Sequence, residues 1–199
     1  MQILDSRRLT GPNLLLPREG AVLEVSLEPE EVETVVAAWR ENVRSLLAAV
    51  GWPDEQIAVR RFSGGASLAF SAPIDSLYSA TELNEQAWAA AEAVAGGPSP
   101  DLAEEIVRLR AMIAQEANPA LLALRGAAAA HGVSFLWDDD YASVGLGTGS
   151  LTWPADALPD PAAIDWGTVH DVAVLLVTGT NGKTTTVRLL AAIAEAAGK

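Results

Sequence analysis

The chain has 199 residues, enough for one large domain or for one domain and part of a second. Half of its residues are hydrophobic and a fifth are charged, as in a chain with a real core, and the absence of cysteine excludes disulfides and thiolate metal sites. The net charge of −13 argues against nonspecific binding to nucleic acid or an anionic membrane, both of which attract basic surfaces.

The pattern opens with two extended segments, Gln2–Leu9 and Ala21–Leu27, the first ending in a turn at Thr10-Gly11-Pro12-Asn13. A helix is predicted from Glu30 to Val50, because Val32, Val35, Val36, Trp39, Val43 and Leu46 fall on one stripe at helical spacing. Pro29 and the early glutamates suit its start, and Gly51 ends it. Ile57–Phe62 and Ala66–Ser71 read as a hairpin around Ser63-Gly64-Gly65. A second helix is expected from Ser79 to Ala95, stopping at Gly96-Gly97-Pro98. A third is capped by Ser99 and Pro100, runs to Glu116 and turns Leu102, Ile106, Leu109 and Ile113 inward. A fourth begins at Asn118-Pro119 and ends near His131-Gly132. Val133–Trp137 reads as a strand and Ala142–Trp153 as a glycine-rich extended pair.

Three prolines and three aspartates crowd the stretch from Trp153 to Asp165, the composition of an interdomain linker. Beyond it, Val172–Val177 is an unbroken apolar run, as expected of a strand buried on both faces of a parallel sheet, and an apolar helix follows from Lys183 to Ala197. The predicted organisation is an α+β domain over 1–153, a linker over 154–170, and the first strand–loop–helix of a parallel-sheet ATPase domain over 171–199. One strand cannot bury both its own faces, so the chain is expected to be the front of a longer polypeptide. No apolar run approaches the ~18 residues of a membrane span. Met1–Arg8 lacks the pattern of a secretory signal, and a cytoplasmic location is expected.

Between the apolar run and the last helix lies Val177-Thr178-Gly179-Thr180-Asn181-Gly182-Lys183-Thr184-Thr185-Thr186. Strand, glycine turn and helix together make an anion trap: glycines let main-chain N–H groups converge, and the helix N-terminus brings partial positive charge to the same place. Lys183 is placed to reach the β- and γ-phosphates of a nucleotide, Thr184 to ligate Mg²⁺, and Thr185 to donate from the first helical turn. Lysine is so rare here, occurring only at 183 and 199, that Lys183 is hard to read as surface filler. The general phosphate-loop pattern fails, because its first glycine would fall at Val177.

The shorter Gly-Thr-Asn-Gly-Lys-Thr-Thr version is intact, and it resembles the loop of the Mur ligase superfamily, which includes folylpolyglutamate synthetases and cyanophycin synthetase. A looser resemblance covers the front of the chain. Leu9-Thr10-Gly11-Pro12-Asn13 is similar to the opening of cyanophycin synthetases. Ala127–His131, Gly132-Val133 and Ser143-Val144-Gly145-Leu146-Gly147 are similar to the segment that leads that family into its ATP-grasp domain. Here only a short stretch separates that segment from the loop, so the ATP-grasp domain is missing. The resemblance implies an ATP- and Mg²⁺-dependent ligase in which a carboxylate is activated as an acyl phosphate and then attacked by an amine, amino acid or peptide. Gly179, Thr180, Asn181, Gly182, Lys183, Thr184 and Thr185 would bind the nucleotide, Lys183 would be catalytic and Thr184 would hold the metal. Remaining catalytic groups would lie past Lys199, and the chain alone is expected to lack ligase activity. The rival readings are a phosphate-loop ATPase or kinase of another class, and a non-catalytic docking or oligomerisation module; a homo-oligomer stays open.

Other constellations carry weaker expectations. Asp138-Asp139-Asp140 reads as a solvated acidic turn in preference to a grip on a substrate amine. Gly145–Gly149 opens no helix and reads as a flexible hairpin rather than a dinucleotide site. Arg60 and Arg61 read as edge-strand charge in preference to an anion grip. His131, at a helix end, and His170, before the apolar run, have no nucleophile beside them. Trp39 and Trp88 are expected in the core.

Overall fold

Alternation at period two decides which way the first sheet faces. The computed structural model of the chain describes residues 1–98 and 100–198. Strand β1 (Gln2–Leu9) pairs antiparallel with β2 (Gly20–Ser26), with a register shift between Ile3 and Asp5. The hairpin of β3 (Ile57–Phe62) and β4 (Gly65–Ser71) completes a four-stranded sheet in the order β1-β2-β4-β3. On one face, Ala21, Leu23 and Val25 of β2 and Ala66, Leu68 and Phe70 of β4 are fully buried. The opposite face carries a smaller cluster, where Leu16 of the β1–β2 connection covers Val22 and Ala69.

Helix α1 (Val32–Val50) and helix α2 (Leu77–Glu92) cover the large face. The stripe on α1 is buried as its spacing requires, and Gly51 ends the helix in the left-handed conformation with φ 93°. Trp39 and Trp88 are in the core as expected. Trp39 Nε1 donates to Asn84 Oδ1 at 2.9 Å, and Asn84 Nδ2 donates to Leu68 O at 3.0 Å, so a buried polar chain ties α1, α2 and β4 together. The start of α2 is held from a distance, because Glu116 accepts from the Tyr78 and Ser79 backbone N–H groups at 2.7 and 2.8 Å.

Helix α3 (Leu102–Glu116) lies against α2 and buries Leu109 completely, while Leu102 and Ile106 are half-buried. Its cap is Asp101, whose carboxylate accepts from Ala103 and Glu104 N–H; the expected Ser99 part of the cap lies outside the described residues. Helix α4 (Pro119–Ala130) starts as predicted, with Asn118 Oδ1 accepting from Leu121 N at 3.0 Å and proline in the first turn. It packs on a second antiparallel sheet of β5 (Phe135–Trp137), β6 (Tyr141–Val144) and β7 (Leu151–Pro154). Leu121, Leu124, Ala142 and Val144 form that core, and Trp137 packs against both cores. The fold is therefore mixed α/β, and both of its sheets are antiparallel.

The stretch expected to be a linker lies along this second core. Leu158, Ile164 and Trp166 are half-buried, Val169 is buried, and the Trp166 ring stacks on His131 at 4.4 Å. The glycine-rich β6–β7 connection is a hairpin as expected, but its glycines serve close approach. A Cβ on Gly149 would stand 2.3 Å from His170 O, where Leu146 N donates to His170 O and His170 N to Gly149 O. The backbone at 169–170 occupies the space that side chains on this connection would need.

Val172–Val177 departs from expectation. It forms no ladder, and Val174, Leu175 and Leu176 are exposed, Leu176 at 90%. A parallel strand needs neighbours on its edges and helices on its faces, and none of the other described residues provides them. The helix after it does form, as α5 (Lys183–Ala196), but it buries no residue.

Candidate functional site

The loop ahead of α5 is shaped by two glycines. Gly179 has φ 135° and Gly182 has φ 82°, both in the range that disfavours a side chain, and Gly182 is the residue on which α5 starts. A bend over 179–182 turns the chain into the helix, whose first ladder bond is Thr186 N to Gly182 O at 2.9 Å. No side chain caps this end, so the first-turn N–H groups stay open, and the dipole adds positive character. Lys183 folds back and donates from Nζ to Gly179 O, which sets its ammonium over the bend.

The structure thus brings Gly179, Thr180, Asn181, Gly182, Lys183, Thr184 and Thr185 into one exposed turn at a helix N-terminus. From Val172 to Thr186 there is no acidic residue, in a chain with twice as many acids as bases. Open N–H donors, one ammonium, three consecutive threonine hydroxyls at 184–186 and no carboxylate form the donor set of an anion site. This set fits a polyphosphate tail. Thr184 is the hydroxyl next to the lysine; among the described residues, no group of three or more His, Asp or Glu side chains stands where it would hold a metal ion.

A charged cluster that no local pattern marks joins Arg8, Tyr78 and Asp139. Asp139, in the β5–β6 turn, accepts from Arg8 Nη1 at 2.6 Å and Nη2 at 2.9 Å, and from the Tyr78 hydroxyl at 2.9 Å. The Arg8 guanidinium lies 3.9 Å above the Tyr78 ring. The hydrogen bonds from Arg8 hold the Asp139 carboxyl down at about 2, with Tyr78 and the Arg8 charge adding to the effect against a smaller opposing influence of burial. The same contact raises the Tyr78 hydroxyl and the Arg8 guanidinium above their usual values. Asp138 instead accepts from Asp140 and Tyr141 N–H, closing the turn. The acidic triplet is therefore half turn and half latch. The three latch residues stand 61 and 131 positions apart, which no local pattern reveals.

Arg61 pairs with Glu33 at 2.9 Å, and Arg60 lies on the edge strand β3, as expected for edge charge. His131 ends α4 and His170 sits against Gly149. No protein-family model matches this chain, and no curated protein does. Among the described residues no helix is long and apolar enough to cross a membrane.

Proposed function

We propose that this chain is the N-terminal part of an ATP-dependent ligase of Mur type, joining a carboxylate to an amine, amino acid or peptide. The observation that carries the reading is the turn at 179–182. Its two positive-φ glycines, the open N-terminus of α5 and the Lys183 ammonium meet in a stretch, 172–186, that carries no acidic residue. In this reading the N–H groups from Gly179 to Thr185 hold the phosphates of ATP, and the Thr184 hydroxyl holds Mg²⁺. Lys183 neutralises charge on the β- and γ-phosphates, which lowers the repulsion an approaching carboxylate meets. Bound Mg-ATP would supply the phosphoryl group that turns the carboxylate into an acyl phosphate. The exposed run Val172–Val177 is the strand of a parallel sheet whose other strands, with the remaining catalytic groups, lie past Lys199.

Titration with Mg-ATP and with inorganic triphosphate tests the site, comparing the native chain with Lys183→Ala. Loss of a charge-assisted bond to phosphate is expected to weaken both ligands by at least about tenfold. Equal affinity in the two proteins removes Lys183 from the site.

A further inference from the structure

A second cleft, of about 400 Å³, opens between the two sheets, away from the phosphate loop and independent of its reading. Thr10, Gly11 and Pro12 of the β1–β2 connection form one side of it, and Ile74, Phe135 and Trp137 supply apolar wall. Its charged groups are Glu19 and Arg125. The Glu19 side chain is 8% exposed, and both its oxygens accept from a single nitrogen, Arg125 Nη2, at 2.9 and 2.8 Å.

The pair is unfinished on both sides. A carboxylate has about four lone-pair positions, and a buried one with a single donor nitrogen has room for another. Arg125 is 35% exposed and donates through Nη2 alone, so among the described residues its Nε and Nη1 hydrogens have no acceptor. An ion pair kept only to tie the β1–β2 connection to α4 gains little over an apolar contact of the same size. A small ligand carrying both charges completes each partner at once.

We propose that this cleft binds a free α-amino acid with an apolar side chain. Its ammonium sits on Glu19, its carboxylate on Arg125, and its side chain against Ile74 and Trp137. The ammonium and carboxylate of an α-amino acid stand next to one another, as do the two protein groups that would receive them. The cleft is at the small end of ligand sites, about 300–1,000 Å³, which suits a single residue. A nucleotide would bring its phosphates against Glu19.

Binding of L-leucine and L-phenylalanine to the full chain, followed by calorimetry and by the backbone and indole NMR signals of Trp137 and Arg125, tests this. Saturable binding is expected. N-acetyl-leucine lacks the ammonium and leucinamide lacks the carboxylate, and each is expected to bind at least about tenfold more weakly. Glu19→Gln and Arg125→Gln should weaken leucine alike. Because either change touches the packing of α4, Gly11→Leu is the cleaner block. Gly11 lines the cleft and no atom lies within 4 Å of a Cβ there, so the variant is expected to fold with a leucine at the cleft wall. Absence of amino acid binding overturns the proposal, as does equal affinity for N-acetyl-leucine, or leucine bound undiminished by folded Gly11→Leu.

Discussion

Asp139 shows how a single carboxylate links distant parts of the chain. Its pKa falls from 3.8 to about 2 in the fold because the Arg8 and Tyr78 hydrogen bonds favour the charged form. A depressed folded value means the contribution to stability is complete above the unfolded value, near pH 4. It is lost as the pH drops through about 2. Asp139 is half exposed, so solvent screening keeps the effect below about 1 kcal/mol. Asp139→Asn is expected to lower stability by up to that amount at pH 7 and to flatten the loss between pH 4 and 2. Urea unfolding across that range checks it, and an unchanged acid slope would count against the latch. The sequence marks the triplet as a turn, and Asp138 closes it by accepting from Asp140 and Tyr141 N–H. Arg8 and Tyr78 were beyond the reach of the sequence, because nothing local marks a partner 131 residues away.

At the scale of elements, period and punctuation were strong guides. The stripe on α1, the Gly64-centred hairpin and the Asn118-Pro119 start of α4 are where residue types require them. Each rests on contacts within one helix or between adjacent strands. The β6–β7 connection is different: its glycines looked like flexibility and are instead the condition for the backbone at 169–170 to lie against it. Gly149→Ala puts a methyl group 2.3 Å from His170 O, so the segment must move away. The expected cost is about 2–3 kcal/mol, of the order seen when core space is overfilled. Hydrogen exchange should then rise at Leu146 and His170, whose amides lose their partners, while β2 and β4 stay protected. Rapid exchange at both amides in the native protein would show that the approach is not tight.

Across the whole molecule, burial is uneven. Two cores, joined through Trp137, take in the chain as far as Val169, whereas the run Val172–Val177 and α5 contribute no buried residue. Burial of apolar area at about 25 cal/mol per Å² is what holds elements in place, so the final segment adds little to the stability of the rest. Deleting residues 172–199 is expected to leave the unfolding free energy of the remainder, read from urea titration, within about 0.5 kcal/mol of the native chain. A larger drop would mean that α5 is covered by the body of the protein in solution.

Charge, helical stripes, the Asn118 cap of α4 and the glycine turn at 179–182 belong to neighbours along the chain, so the order of residues alone was enough to place them. The turn proposed to hold phosphate is of this kind: its φ angles and the absence of acidic residues from 172 to 186 belong to consecutive residues. Pairing is another matter. Antiparallel order in both sheets, the Arg8–Asp139–Tyr78 latch, the Glu19–Arg125 cleft and the unpaired state of Val172–Val177 depend on which surfaces meet. An apolar run says that a strand wants partners, but only the packed chain shows whether any partner stands beside it.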